Sequence, residues 1–367
     1  PSSWHWGACR AARRAISNKM PPAPPPPSLR LGLDREALAA NWRALNRLSG
    51  TASAGAAVKA DAYGIGAAQA VPVLRDAGCR DFFVAHWSEA AVVAALVGPA
   101  SVAVLHGPQT PADAAYARAL GVRPVINSLP QARIWRDAGG GPCHVMVDTG
   151  MNRLGLSLAQ LADPLVAGLE IDALLSHLAS AEDDTPLNAA QLARWQEARR
   201  MAAHARASLA NSAGIMLGEA YHGDLTRPGI ALYGGVPCAA LAPHIRQVVR
   251  PEAAIIQVRD LSPGDTVGYN ATFTAPMAMR AAVISLGYAD GYLRCWSGRG
   301  LFRSADGAAL PVLGRVSMDM TIIDLAAAPH LREGDWVSAD YSLPEAAATS
   351  GLSQYELLTL LGRRFQR

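Results

Sequence analysis

Lysine is almost missing from this chain of 367 residues: Lys19 and Lys59 stand alone among 33 basic residues, and the rest are arginine. Cysteine is sparse as well. Cys9, Cys79, Cys143, Cys238 and Cys295 are scattered, odd in number and form no C-x-x-C pair. That spacing argues against a disulfide framework or a zinc site and reads as free thiols in a reducing cytoplasm. Excess charge of either sign is also lacking. The formal net charge is +3, which gives no ground for a nucleic-acid or anionic-membrane partner. No apolar run is long enough for a signal-peptide core or a membrane span. The lysine deficit has a chemical corollary. Lysine is not used here for solubility, so Lys59, in the body of the chain, is read as doing what arginine cannot: losing its proton and forming a Schiff base.

Half of the residues are hydrophobic, and the length suggests two domains. Residues 1–28 read as a tail. The first nineteen are basic and free of acid, and a proline-rich run, PPAPPPPS, follows. A transit peptide fits that composition; so does translation starting at Met20, with the preceding residues an over-extended reading frame. From Leu29 the pattern becomes regular. A short strand at Leu29–Leu33 precedes a helix capped by Asp34 and running to about Leu48, with Leu38, Trp42, Leu45 and Leu48 on one stripe. Short apolar strands then alternate with helices: strands at Ala56–Ala60, Phe82–His86, Val102–Leu105, Pro124–Ile126, His144–Asp148, Ala173–His177, Gly214–Met216 and Gly229–Leu232. The last long helix is placed at Asn188–Ala210. Such alternation implies a parallel sheet. About eight units favour a (β/α)8 TIM-type barrel over residues 29–245, with a doubly wound sheet as the alternative. After about His244 helical periodicity fades until Ser353. Short β runs and turn signals predict a mainly β C-terminal domain over residues 246–367. The fold class is α/β, a barrel followed by that β domain.

Several residues can carry chemistry. Lys59 ends the first barrel strand, and barrel sites form at that end; Tyr63 lies four residues on. Arg153 follows a strand end in Val147-Asp-Thr-Gly-Met-Asn-Arg-Leu-Gly155, and alone reads as a solvated loop residue. His177 ends another strand, where packing is as good an account as chemistry. Ser212 and the amides of Gly229 and Ile230, on late strands, suit an anion such as phosphate. Tyr269, in Val267-Gly-Tyr-Asn-Ala-Thr-Phe273, alone reads as a packing or surface tyrosine. No metal site is expected.

Taken together, Val58-Lys-Ala-Asp-Ala-Tyr-Gly64, the Arg153 motif, Arg227-Pro-Gly-Ile-Ala-Leu-Tyr-Gly234, the Tyr269 motif, Gly287-Tyr-Ala-Asp-Gly-Tyr292 and Gly314-Arg-Val-Ser-Met-Asp-Met320 resemble the alanine racemase family of fold-type III pyridoxal 5′-phosphate (PLP) enzymes, over residues 29–367. The resemblance implies that Lys59 holds PLP covalently and acts as one acid/base, and that Tyr269 is the other, supplied by the second subunit of a homodimer. It implies that Tyr63, His177, Ser212, Arg227, Gly229, Ile230 and Tyr355 bind the cofactor. Ser212, Gly229, Ile230 and Tyr355 meet its phosphate, Arg227 its pyridine nitrogen, and His177 its ring. Arg153, Tyr288 and Met318 would bind the amino-acid substrate, with Asp319 fixing Met318. A free tyrosine titrates near ~10, so Tyr269 needs tuning, for which His177 and Arg227 are the candidates. Two positions depart from the family. Ile65 stands where histidine is common. Met146 stands where the family usually has a lysine, often carbamylated, that orients the arginine; Arg153 must then be held by a bound anion, Asp148 or Asn152, and activity should not depend on bicarbonate. The expected activity is racemisation of alanine, supplying D-alanine for cell wall or serving its catabolism. Alternatives are a serine or broad-specificity racemase, a PLP decarboxylase for basic amino acids, or a non-catalytic PLP-binding protein.

Overall fold

A computed structural model describes residues 25–366. The expected tail falls largely on residues 1–24, outside the described residues; Pro25–Pro27 carry no regular structure. Seven parallel strands pair in chain order: Ala56–Ala57, Phe82–Val84, Val102–Val104, Arg123–Ile126, Pro142–Met146, Glu170–Leu175 and Arg206–Ser208. The sheet curls toward closure. Leu225–Thr226 pairs in parallel with Ser53–Ala54, just before Gly55 interrupts the first strand. On its other side, the amides of Asp224 and Arg227 donate to Ala207 and Ala210 carbonyls.

Alternation along these strands builds two apolar layers. Phe82, Val84, Val102, Val104, Ile126, Val145 and Leu174 pack outward under the helices. Their neighbours Phe83, Ala103, Val125, Met146, Ala173, Leu175 and Leu225 form a separate apolar cluster that fills the lumen. Residues two apart share a face, so each short strand contributes to both layers. At the foot, where strands begin, Arg206 bridges Asp81 (2.9 Å) and Asp172 (3.2 Å), and Arg123 meets Asp172 at 2.9 Å.

The second domain is a mainly antiparallel sheet in the order Leu29–Leu33, Val249–Leu261, Met279–Ile284, Thr321–Asp324, Ala309–Leu313, Leu301–Arg303 and Trp336–Ala339. Trp336–Ala339, the last strand, also pairs with Val249–Leu261, the second, so the sheet folds back on itself.

Four sequence expectations change. The strand Leu29–Leu33 forms, but it pairs with Val249–Leu261 in the second domain, although the expected bounds of the barrel domain, 29–245, included it. Its helix, Arg35–Leu48, has the expected Asp34 cap, which accepts from Ala37 N at 2.8 Å. The helix placed at Asn188–Ala210 is Pro186–Met201, and its predicted tail holds the strand Arg206–Ser208. Gly214–Met216 and Gly229–Leu232 are not strands but 3-10 turns, and the eighth strand is the pair Leu225–Thr226. Apolar runs this short carry no period that separates strand from turn. A helix at Leu343–Ser350 was not foreseen.

Candidate active site

The C-terminal ends of the barrel strands surround a cavity of about 650 Å3. Lys59, Tyr63, Arg153, His177, Ser212, Arg227, Gly229, Ile230 and Tyr355 all line it. Sequence reasoning named each of them, although they come from segments up to 296 residues apart.

The strand expected at Ala56–Ala60 ends at Ala57, so Lys59 lies just past its end and precedes an unusual stretch of backbone. Ala60, Asp61, Ala62 and Tyr63 all have φ between 53° and 57°, a left-handed turn ended by Gly64 at φ 85°. Left-handed backbone costs L-residues roughly 1–2 kcal/mol each, so the turn needs support. Glu89 provides it by accepting from Ala60 N, while its other oxygen accepts from Ala85 and His86 N at the next strand end. Asp61 accepts from Ala67 N at 2.7 Å and starts the following helix. Strain held in place this way is typical of functional loops. Burial and the Arg153 cation lower the Lys59 pKa, against a smaller opposing effect of Glu89. Its amine therefore gives up a proton more readily than a free lysine.

Arg153 lies on the loop after Pro142–Met146. Asp148 Oδ1 accepts from the amides of Gly150, Met151 and Asn152 and so shapes that loop. The guanidinium itself has no hydrogen-bond partner among the described residues. This corrects the expectation that Asp148 or Asn152 grips it: Asp148 acts through the backbone. Met146, at the departure from the family pattern, packs in the apolar lumen cluster.

Arg227 is buried and, among the described residues, pairs with no carboxylate. It donates to the Ser208 carbonyl at 2.9 Å, and also to Ser208 Oγ and the Ser176 carbonyl. Burial lowers its pKa to about 10, so it stays a cation at neutral pH. Burial, with Arg227, Arg153 and Lys59 nearby, lowers the His177 pKa to about 3, which keeps that ring neutral.

Ser212 Oγ accepts from Gly229 N at 2.9 Å and Ala231 N at 3.4 Å. Gly229 is required: a Cβ there would stand 2.2 Å from Tyr63 Oη. The ring of Tyr63 lies 4.9 Å from Tyr233 and 6.4 Å from Tyr355. Tyr355 reaches the barrel from the far end of the chain because Gln354 exchanges two hydrogen bonds with the Val236 backbone. Its hydroxyl donates to Glu182 at 3.0 Å.

Tyr269, Tyr288 and Met318 do not line this cavity. Tyr269 sits in a short turn of the second domain and is 61% exposed; Met318 is 53% exposed. The turns of Tyr288 and Met318 are tied together, with Tyr288 N donating to Ser317 O and Ala289 N to Met318 O, each at 3.0 Å. Arg364 clamps both, binding buried Asp290 at 2.6 Å and Asp319 at 2.7 Å. The chain thus carries two separate groups of predicted site residues, one in the barrel mouth and one on the second domain.

Glu89, Gln191, Glu182 and Arg364 were missed. Only Glu89 had a sequence signal, as the third residue of a helix behind a strand end.

The N-terminal domain model of alanine racemase matches residues 33–237, and the C-terminal domain model residues 248–367. The alanine racemase of Methylobacterium nodulans is 43% identical over 92% of this chain and 95% of its own length. That of Acidiphilium cryptum is 41% identical over 92% of this chain and 97% of its own. The crystal structure of alanine racemase from Bartonella henselae with covalently bound pyridoxal phosphate has a TM-score of 0.84 at 36% identity, covering 93% of this chain and 99% of that one. With both of its domains matched in order and relatives this similar over nearly their full length, the chain belongs to the alanine racemase family.

Proposed function

We propose that this chain interconverts L- and D-alanine with PLP held on Lys59, as a cytoplasmic homodimer in which each cavity receives Tyr269, Tyr288 and Met318 from the other copy. The observation that carries this reading is the convergence of nine predicted residues on one cavity. The residues present fit the cofactor. Ser212 with the amides at Gly229 and Ile230 suits a phosphate, beside Tyr63 and Tyr355. Gly229 leaves no room for a side chain, as an anion cradle requires. Buried Arg227, with no carboxylate partner among the described residues, suits the pyridine nitrogen.

When bound, PLP stores the negative charge that develops at the substrate's α-carbon. The chain's own residues do the rest. Arg153 has its guanidinium free to take the substrate carboxylate in two parallel hydrogen bonds, which orients the α-carbon. Lys59 Nζ removes or returns the α-proton on one face, helped by its lowered pKa. Tyr269 Oη does so on the other. Lys59 serves the D-enantiomer and Tyr269 the L-enantiomer. Arg227 cannot readily hand a proton to the ring nitrogen, which keeps the stored charge short-lived and disfavours transamination. Neutral His177 adds no further positive charge beside Arg227 and Arg153. Met318 and Tyr288 narrow the pocket around a methyl side chain.

Mixed dimers test both claims. Lys59→Ala and Tyr269→Phe are each expected to abolish racemisation. Equal mixing after dissociation should restore about a quarter of wild-type activity, because half the dimers are hybrid and each has one intact site. Lys59→Ala that kept a PLP absorbance band and full racemisation would overturn the assignment; mixtures that stay dead would overturn the shared site.

A further inference from the structure

The Pro186–Met201 helix turns a polar stripe toward the cavity mouth. Asn188, Gln191 and Arg194 are three residues apart and share one face. Each binds a loop of the site. Asn188 Nδ2 donates to the carbonyls of Ser180 (3.2 Å) and Asp183 (2.9 Å), on either side of Glu182. Arg194 donates to the Thr149 carbonyl at 3.0 Å. Gln191, fully buried, is the hub. Its Nε2 donates to Thr149 Oγ1 (3.2 Å) and to the His177 carbonyl (3.0 Å), and its Oε1 accepts from Ala179 N (2.8 Å).

The direction of this network is fixed. Ser176 Oγ gives its one proton to the Val147 carbonyl at 2.8 Å, so it accepts from Thr149 Oγ1, also at 2.8 Å. Thr149 must then accept from Gln191. All three polar functions of the Gln191 amide are used, and the Ala179 bond fixes which end is oxygen. Glutamate would bring no donor, and an apolar residue would leave buried groups unpaired.

We propose that Gln191 is a positioning residue: it sets the spacing between the Arg153 loop and the strand end bearing His177, with Arg194 as its auxiliary. Arg153 has no hydrogen-bond partner of its own among the described residues, so its place depends on the backbone that carries it. That backbone is held by Asp148 within the loop and by Gln191 and Arg194 from outside. This inference rests on the reading that Arg153 takes the substrate carboxylate.

The test uses PLP-loaded enzyme. Gln191→Leu should raise KM for both alanine enantiomers about tenfold, the effect of one lost buried hydrogen-bond pair, and change kcat less. Amides of 149–153 and 177–179 should exchange hydrogen at least about tenfold faster, while those of Pro142–Met146 stay unchanged. In an Arg153→Ala background Gln191→Leu should add nothing to KM. If Arg153→Ala alone leaves KM unchanged, the carboxylate reading has failed. If it raises KM but Gln191→Leu has no effect, or multiplies in full on top of it, the positioning role is overturned. Should Gln191→Leu not fold, Arg194→Met, on an exposed side chain, is expected to raise KM in the same direction, and again only when Arg153 is present; an unchanged KM there refutes the proposal.

Discussion

Arg364, close to the end of the chain, should matter more to stability than either acid it binds. Its two arms are unequal. Asp290 is almost fully buried, accepting from Arg364 at 2.6 Å and from Gly287 N at 3.0 Å. Asp319 is half exposed, as is Arg364. Arg364→Met leaves a charged carboxylate buried with one N–H. Breaking a wholly buried pair costs about 3–5 kcal/mol, and an exposed pair contributes at most about 1. With one partner buried and the other half in water, the expected loss is about 2–3 kcal/mol. Asp290→Asn removes the buried charge instead, keeps an acceptor for Gly287, and leaves a guanidinium that water can reach; it should cost about 1 kcal/mol. Asp319→Asn should cost about 1 kcal/mol or less. Urea unfolding followed by tryptophan fluorescence measures this, since Trp296 is buried in the same domain and stacks on Tyr292 at 5.3 Å. An Asp290→Asn variant as unstable as Arg364→Met, or an Arg364→Met variant within 1 kcal/mol of wild type, would refute the claim that a stranded carboxylate is what costs. The same variant should lose racemase activity before it unfolds, because the Tyr288 and Met318 turns hang on these two acids.

Gly229→Ala should weaken PLP binding at least about tenfold in a spectroscopic titration, because its methyl group displaces buried Tyr63 at an overpacking cost of about 1–3 kcal/mol; unchanged affinity would mean the cradle lies elsewhere. Stability should fall on acidification below about pH 6.5, the value for a free histidine. Burial, with Arg206, Arg123 and Arg227 adding to it and Asp172 opposing, lowers the His144 pKa to about 3. Between those values the unfolded chain takes up a proton that the folded chain refuses. The stabilisation is complete above pH 6.5 and is lost as pH falls, at up to about 1.4 kcal/mol per pH unit. His144→Asn should flatten that part of the curve, and an unaltered slope would count against the assignment.

What the sequence could and could not reveal follows from how far each feature depends on contacts. Lys59 was legible because its scarcity is a property of composition, and the motifs around it are contiguous. The strands were legible as short, wholly apolar runs recurring between helical stretches, because strands buried on both faces read as continuous apolar segments. The left-handed turn after Lys59 was not, since Ala60, Asp61, Ala62 and Tyr63 have no preference for φ near 55°; the conformation exists because Glu89 holds it from outside and the Asp61 side chain ties it to the next helix. The home of Leu29–Leu33 was equally hidden. Its five residues read as a strand in either domain, and only the register against Val249–Ala253 decides. Gln191 shows the limit most clearly. On a largely polar helix it looks like any solvated glutamine. It becomes a hub only because the barrel brings Thr149, 42 residues away, and His177, 14 residues away, to the same amide. The residues proposed to do the chemistry lie within contiguous motifs, whereas most of those that aim them, Gln191 above all, emerge only from the fold. A change at Gln191 or Glu89 is therefore expected to weaken activity, at Gln191 mainly through KM, while leaving every motif intact.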